Sequence, residues 1–254
     1  MAAALIDDGI SNGRRSSEPV PAKGVEVGRV EGGEYGEAYV RDLARQAYEG
    51  NPSIPLLRGR FALLVIDMQD EFVKPGWTPF WVPEATRIVA GVADLMQKCR
   101  ALSVPVVFTA FAKTHLYRDR PRSGVVMPNR FPSIAGDPEW FRDGTIWHEL
   151  EPLDDEVVIH KPSYGAFWDT PLQTILRNFG CDTILICGTL TNYCCGTTAR
   201  QGYERGFNVV VVGDLTATDD PELQEAELRT LRKGFARVAT LEEVSLELSV
   251  NGSS

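Results

Sequence analysis

The amino-acid sequence predicts an α/β protein built on an open, mainly parallel sheet of six strands. Two observations support this prediction. Apolar runs of strand length recur along the chain, and segments with apolar residues at helical spacing lie between them. Strands that alternate with helices in this way form right-handed crossovers in an open parallel sheet. Residues 61–66 (FALLVI) are continuously apolar, which is typical of a strand covered on both faces.

The individual elements follow from the same patterns. Strands are expected at residues 61–66, 104–108, 157–160, 183–187, 209–212 and 236–240. Helices are expected at residues 34–48, 83–102, 170–179, 192–205, 221–233 and 241–248. Residues 113–144, with prolines and aromatics, are expected to be irregular. We therefore expect an N-terminal extension over residues 1–59, with a surface segment at 1–33 and a short amphipathic helix, and one compact domain over residues 60–254.

The composition narrows the class of protein. The chain has 254 residues, of which 43% are hydrophobic, and a net charge of −9. Five cysteines form an odd set without a regular framework, which favours a reducing cytoplasm over a disulfide scaffold. The chain shows neither a leader segment nor an apolar stretch of membrane-spanning length, so we expect a cytoplasmic protein without a membrane partner. The absence of basic clusters with interleaved aromatics argues against a nucleic-acid partner.

Three reactive side chains follow predicted strands. Asp67 follows the first strand, Lys161 ends the third, and Cys194 follows the fourth. Ligands of an open parallel sheet bind beyond the carboxyl ends of its strands, so these side chains are expected to meet. A thiol needs to lose its proton to become a strong nucleophile; Asp67 can accept that proton, and Lys161 can stabilise the thiolate. A helix start near Cys194 would add backbone N–H donors. A capping Asp, an exposed Lys and a core Cys are the alternative explanations.

The motifs around these residues resemble the isochorismatase-like cysteine hydrolase superfamily, which includes N-carbamoylsarcosine amidases, ureidoacrylate amidohydrolases and streptothricin hydrolase. The matching pieces are LLVIDMQDEF (63–72), HKPSYGAFWDT (160–170), GTLTNYCCGTTA (188–199) and GFARVATLEEV (234–244). The resemblance implies a three-layer, doubly wound α/β fold. It also implies a hydrolase domain over residues 60–254 with a catalytic triad of Asp67, Lys161 and Cys194. Its G-x-x-T-x-x-C pattern falls on Cys194, which leaves Cys195 as a structural neighbour.

The resemblance also implies details of the reaction. It places a cis peptide bond between Thr189 and Leu190, and an oxyanion hole at the N–H groups of Leu190 and Cys194. Such fixed donors stabilise the charge that acyl transfer builds on a carbonyl oxygen. The implied activity is hydrolysis of a carbon–nitrogen bond in a small non-peptide amide, lactam or ureido compound through a thioester. No cofactor is expected.

The chain departs from its nicotinamidase relatives at their metal site. They carry an Asp-x-His-x-x-His cluster after the second strand, where this chain reads FTAFAKTHLYRD with His115 as its single histidine. We therefore expect no metal and disfavour nicotinamide as substrate. Relatives that bind carboxylates carry an arginine in the loop after the fifth strand. This chain offers Asp219 and Asp220 there, which favours a cationic or neutral substrate, with helix capping as the alternative.

A further set of residues is predicted to bind substrate, because ligand pockets are mostly apolar with a few placed polar groups. The set comprises Gln69, Phe72, Trp77, Tyr164, Phe167, Asn192 and Asp219. Its aromatic members equally suit a core or a subunit interface. Gly165 stands where the family commonly has serine, and this smaller residue is expected to widen the site.

Two other classes of function fit the sequence. The vicinal pair Cys194 and Cys195 could serve a thiol switch, and a binding protein could keep the fold without the reaction. The N-terminal arm, together with the habit of the family, predicts a homodimer or homotetramer.

Overall fold

The structure is a computed structural model that describes residues 35–112, 115, 118–119 and 139–252. The predicted surface segment at 1–33 and most of the predicted irregular segment lie outside the described residues. Contacts divide the chain into two units, Met1–Asp42 and Leu43–Ser254, and the whole sheet belongs to the second. The predicted domain boundary at residue 60 stays a prediction.

The sheet confirms the predicted fold class. In the described part of the chain it has six strands, each parallel to its neighbours, in the order β3-β2-β1-β4-β5-β6. The strands are β1 (Phe61–Ile66), β2 (Val106–Phe111), β3 (Val157–Lys161), β4 (Thr183–Thr189), β5 (Asn208–Ala217) and β6 (Arg237–Ala239). The strand order reverses between β1 and β4, and this switch point is where ligands of such sheets bind.

Helices cover both faces of the sheet. One face carries α4 and α8, and the other carries α5, α6 and α7. The helices of the described residues are α1 (Glu37–Glu49), α2 (Asp70–Val73), α3 (Pro83–Arg87), α4 (Val89–Ala101), α5 (Leu172–Asn178), α6 (Gly196–Glu204), α7 (Pro221–Gly234) and α8 (Leu241–Gly252). A 3₁₀ turn at His148–Leu150 and a π-helical turn at Thr191–Cys195 complete the described elements.

Two apolar cores separate the three layers. Alternate residues of a strand point to opposite faces, so Leu63 and Val65 pack with α4 and α8, whereas Leu64 and Ile66 pack with α5, α6 and α7. All six residues of β1 are buried, which explains its continuous apolar run. The described residues contain no helix with the length and apolar character needed to cross a membrane.

The element boundaries differ from the prediction where tertiary contacts decide them. β5 runs five residues beyond its predicted end at Val212, because its register with β4 shifts after Ile186 and pairing resumes between Gly188 and Thr216. The helix expected over residues 83–102 is two helices that meet at Ile88. The helix expected to begin at residue 192 begins instead as the π-helical turn, and α2 was not predicted.

Candidate active site

The carboxyl ends of three strands bring Asp67, Lys161 and Cys194 together. Lys161 Nζ lies 2.7 Å from Asp67 Oδ2 and 3.4 Å from Cys194 Sγ. Asp67 and Lys161 are fully buried, and Cys194 is 3% exposed. The three side chains therefore form one buried cluster of carboxylate, ammonium and thiol at the switch point of the sheet.

The ammonium group of Lys161 has three polar contacts. Beside Asp67 and Cys194, its Nζ contacts the backbone carbonyl of Ser163, to which it donates a hydrogen bond at 2.8 Å. Nζ also lies 5.2 Å from the centre of the Phe111 ring. Burial, the largest single influence, lowers the pKa of Lys161, but the charges and hydrogen bonds of Asp67 and Cys194 outweigh it and the pKa is raised. Lys161 is therefore a permanent cation in this site.

The thiol of Cys194 is neutral at rest. Burial raises its pKa to about 12; the charge of Lys161 opposes this rise, and the charge of Asp67 adds to it. The sequence favoured a thiolate stabilised by a helix start, but burial favours the protonated form of Cys194 instead. Asp67 is the neighbouring group that can accept this proton.

Thr109 holds the carboxylate of Asp67 in place. Its hydroxyl donates to Asp67 Oδ1 at 2.7 Å, and the Asp67 N–H donates to the Thr109 carbonyl at 3.1 Å. Asp67 has a positive φ of 49°, a conformation that Asp tolerates better than most residues. Sequence reasoning missed Thr109, although a lone hydroxyl within the apolar run VVFTAF was the available signal.

Gly188 allows the turn that carries Cys194 to approach Asp67. Its φ is +120°, and a Cβ at this position would lie 2.0 Å from the carbonyl oxygen of Ile66. Gly188 pairs in register with Ile66, the residue directly before Asp67. A larger residue would push β4 away from β1, so glycine sets the spacing between the end of β1 and the turn that follows β4.

The turn between β4 and α6 distinguishes the two adjacent cysteines. The peptide bond between Thr189 and Leu190 is cis, as the resemblance implies. The Leu190 carbonyl accepts hydrogen bonds from the N–H groups of Tyr193 and Cys195, both at 3.1 Å. All five cysteines are buried free thiols. Cys194 contacts Lys161, whereas Cys195 has no exposed surface and burial raises its pKa.

The side-chain amide of Gln69 forms hydrogen bonds within the protein, between the end of β1 and the end of β2, although it was predicted to bind substrate. Its Nε2 donates to Glu71 Oε2 at 2.6 Å and to the Phe111 carbonyl at 3.0 Å, while its Oε1 accepts from the Phe111 N–H at 2.7 Å. The side chain is fully buried. Both ends of the amide are thus occupied within the protein, so Gln69 ties the end of β1 to the end of β2.

Aromatic side chains form a row beside the ammonium group. Tyr164 stacks on Phe111 with ring centres 6.4 Å apart and packs against Tyr193 at 5.4 Å. Tyr193 is 44% exposed, so the row reaches the surface. Phe72 packs with Phe111 in a small buried cluster that also contacts Leu190. Phe111 and Tyr193 were not among the predicted site residues.

Two other aromatic residues that were predicted to bind substrate, Phe167 and Trp77, have packing contacts outside this row of rings. Phe167 is a core residue that packs against Phe207 with ring centres 5.6 Å apart. Trp77 is half-buried with Lys74 Nζ 5.1 Å from its ring centre. The expectation that Gly165 widens the site was wrong, because the space beside it is filled: a Cβ there would lie 2.2 Å from Oε1 of Gln201.

The polar residues near the end of β5 have separate roles. The Thr218 hydroxyl lies 2.6 Å from Asn192 Oδ1 and 3.1 Å from Asp219 Oδ1. This contact joins the π-helical turn to the loop after β5. Asp219 is exposed, whereas Asp220 caps α7 by accepting from the Glu222 N–H at 2.8 Å. Capping therefore explains Asp220 and leaves Asp219 facing solvent.

Among the residues that the structure describes, no three His, Cys, Asp or Glu side chains are grouped as metal ligands. His115 is exposed, and its Nδ1 lies 3.0 Å from Asp119 Oδ2. The expected absence of a metal stays a prediction.

The fold and site define an α/β protein with a buried Asp–Lys–Cys cluster at the switch point of a parallel sheet. A family model, the isochorismatase domain, matches residues 61–243. Nicotinamidase 3 of Arabidopsis thaliana is 32% identical over 201 residues, which are 75% of this chain and 89% of that relative. The chain therefore belongs to the isochorismatase family of hydrolases.

Two further similarities support this assignment. Streptothricin hydrolase of Streptomyces noursei is 33% identical over 169 residues, which are 66% of this chain and 59% of that protein. Among solved structures, a cysteine hydrolase from Pseudomonas syringae pv. phaseolicola matches with a TM-score of 0.71 at 29% identity, over 79% of this chain and 98% of that one.

Proposed function

We propose that this protein is a cysteine amidohydrolase that cleaves a carbon–nitrogen bond in a small non-peptide amide, lactam or ureido compound through a thioester. The observation that carries the proposal is the buried contact of Lys161 Nζ with both Asp67 Oδ2 and Cys194 Sγ. A carboxylate, an ammonium group and a thiol within one water-poor cluster are the parts that nucleophilic acyl transfer needs.

The first step transfers a proton and forms a bond. Asp67 accepts the proton of Cys194 as Sγ attacks the substrate carbonyl, because the thiol holds its proton at rest. Lys161 stabilises the negative charge that passes between the sulfur and the carboxylate. The N–H groups of Leu190 and Cys194 are the proposed donors to the oxygen of the tetrahedral intermediate.

The remaining steps reuse the same groups. Asp67 returns the proton to the leaving nitrogen, the carbon–nitrogen bond breaks, and the substrate acyl group remains on Cys194 as a thioester. A water molecule then loses a proton to Asp67 and attacks the thioester. The carbon–sulfur bond breaks, the acid is released, and Asp67 returns the proton to Cys194 Sγ, which restores the thiol. Atoms and charges balance without a cofactor, and the absence of one stays a prediction.

The surroundings of the cluster support a small substrate without a carboxylate. Tyr164 and Tyr193 offer flat apolar walls, and Asn192 and Asp219 offer polar oxygens on the side of the turn. An exposed carboxylate favours a cationic or neutral ligand over an anionic one. The relatives' names include a nicotinamidase and a streptothricin hydrolase, so nicotinamide and a streptothricin-type compound both belong in the first test. Cytoplasmic location and homo-oligomeric assembly stay predictions.

Release of ammonia or amine tests the proposal. The purified protein is assayed with nicotinamide, biuret and a streptothricin-type lactam, and with maleamate as the carboxylate-bearing counterpart, beside Cys194→Ala and Cys195→Ala. We expect turnover of at least one compound by the wild type, and about a 10⁴-fold or larger loss in Cys194→Ala, because removal of a covalent nucleophile has effects of that order. Cys195→Ala is the matched control, one residue away and equally buried, and should keep its activity.

Other outcomes separate the alternatives. Turnover by Cys194→Ala would contradict the thioester mechanism. Equal loss in both variants, with a disulfide between the two residues after mild oxidation, would favour a thiol switch. Tight binding of a panel compound without release of product would favour a binding protein.

A further inference from the structure

A cavity of about 570 Å³ lies at the opposite end of the sheet from the cysteine cluster. It opens among the amino ends of β5 and β6 and the segment that follows α1. Its floor is apolar and buried, formed by Phe207, Val209 and Ala236. Cavities that hold small molecules commonly measure about 300–1,000 Å³, so this one has the volume for a small organic ligand.

The walls of the cavity are held by hydrogen bonds. Asn51 pairs with the backbone of Val238 through both ends of its amide, with Nδ2 donating to the carbonyl at 2.7 Å and Oδ1 accepting from the N–H at 3.0 Å. Arg237 reaches across to the Ile54 carbonyl at 2.8 Å. The segment after α1 is therefore fastened along the edge of β6, and the cavity exists without a ligand to shape it.

The rim of the cavity is basic in an acidic protein. The described lining residues include Arg232 and Lys233 and no Asp or Glu, although the chain as a whole has a net charge of −9. Lys233 Nζ lies 4.0 Å from the ring centre of Tyr48. Arg232 is half-buried, and its guanidinium forms no hydrogen bond or ion pair with any described residue. Its donors are therefore available to an oxygen anion.

Aromatic side chains complete the lining. Tyr203 packs edge-on against Phe235, with ring centres 5.5 Å apart, and both line the cavity. A flat ring can pack against such edges and faces, while a guanidinium fork matches the geometry of a carboxylate or phosphate.

We propose that this cavity is a second binding site, which takes a small aromatic anion: a carboxylate or phosphate attached to a flat ring. Arg232 contacts the anionic group, Lys233 adds charge at the rim, and the ring lies on the apolar floor beside Phe235. The proposal is independent of the reaction at Cys194. Basic residues in the last turn of α7 also offset the helix dipole, and this role alone predicts no ligand.

Calorimetric titration of the full-length protein tests the proposal. The probes are phenyl phosphate and benzoate, with benzyl alcohol as the uncharged counterpart. Both anions should bind more tightly than benzyl alcohol, and the tighter anion identifies the headgroup that the site prefers. Arg232→Gln should weaken anion binding about tenfold or more, because a charged hydrogen bond is lost.

Arg229→Gln is the matched control. Arg229 lies on the same helix, is exposed and does not line the cavity, so the same charge change there should leave binding unchanged. Thermal denaturation checks that each variant is folded, and Lys233→Gln, at an exposed position, replaces Arg232→Gln if that variant unfolds. Equal affinity of wild type and the rim variant, equal binding of benzyl alcohol, or no binding of either anion would overturn the proposal.

Discussion

The two ends of β1 each carry an ion pair, and the pairs differ in their exposure to water. Directly before the strand, Arg60 pairs with Asp182, and their side chains are 57% and 40% exposed. Directly after it, Asp67 pairs with Lys161, and both side chains are fully buried. Water and salt screen the first pair, so it adds little to stability. The second has lost its hydration and depends on its partners.

Of the two ion pairs, the chain buries only the one beside Cys194. The exposed pair joins the beginnings of β1 and β4, at the end of these strands that lies away from Cys194. The buried pair borders Cys194, where a fixed cation can stabilise a transferred negative charge. Burial of ions is thus confined, at the ends of this strand, to the place where the proposed chemistry requires it.

Lys161→Met should have the largest effect. It removes the cation and leaves Asp67 as a buried carboxylate whose side-chain donors are the hydroxyl of Thr109 and the thiol of Cys194. We expect kcat/KM to fall about 100- to 1,000-fold or more, and the free energy of unfolding, measured by urea denaturation, to fall by about 3–5 kcal/mol. A Lys161→Met protein with near-normal turnover would show that the buried pair is structural only.

The resting thiol should be almost unreactive at neutral pH. Because burial raises the pKa of Cys194 to about 12, the thiolate fraction should rise about tenfold per pH unit from about pH 7 to pH 10. The rate of iodoacetamide labelling of the Cys194 peptide, followed by mass spectrometry, should rise in step without a plateau. A plateau near neutral pH would mean that the thiolate exists before substrate binds.

Thr109→Val should have a moderate effect. Valine keeps the volume but removes the hydroxyl that donates to Asp67 Oδ1. We expect kcat to fall about tenfold with KM little changed, because the base is less well oriented rather than absent. Thr109→Ser, which restores the hydroxyl, should recover most of the loss. If serine fails to rescue turnover, Thr109 acts through packing instead.

Arg60→Met should have the smallest effect. It is the counterpart of Lys161→Met at the other end of the same strand. Turnover and the urea midpoint should match the wild type within error, because the pair that it breaks is exposed. A loss comparable with that of Lys161→Met would remove the distinction between the two pairs.

The strands could be predicted from the sequence because an apolar run is a local property. The convergence of three reactive side chains could be predicted because each one stands at the end of such a run. A buried parallel strand is apolar throughout, and the residue that follows it lies at the edge where ligands bind. The prediction that Asp67, Lys161 and Cys194 lie at one edge of the sheet required only that the ends of their strands were predicted correctly. The π-helical turn changed the backbone before α6, yet Cys194 still lies beyond the end of β4.

The remaining site residues depend on contacts between distant segments. Gln69 looked like a ligand-binding amide, but its partner Phe111 lies 42 residues further on. Phe167 follows Lys161 closely, yet its ring lies in the core. The roles of Thr109 and Gly188 likewise follow from strand register, which no short sequence window contains. The extension of β5 depends on a register shift with β4.

Gly188 limits which substitutions the ends of β1 and β4 can accept. Since even a single methyl group would meet the Ile66 carbonyl, the spacing between the ends of β1 and β4 tolerates no gradual change. The neighbouring surface has no such restriction, because Tyr193 is partly exposed and Asp219 faces solvent. Directed evolution toward a new amide should therefore accumulate replacements in the outer walls, with the strand ends left as they are.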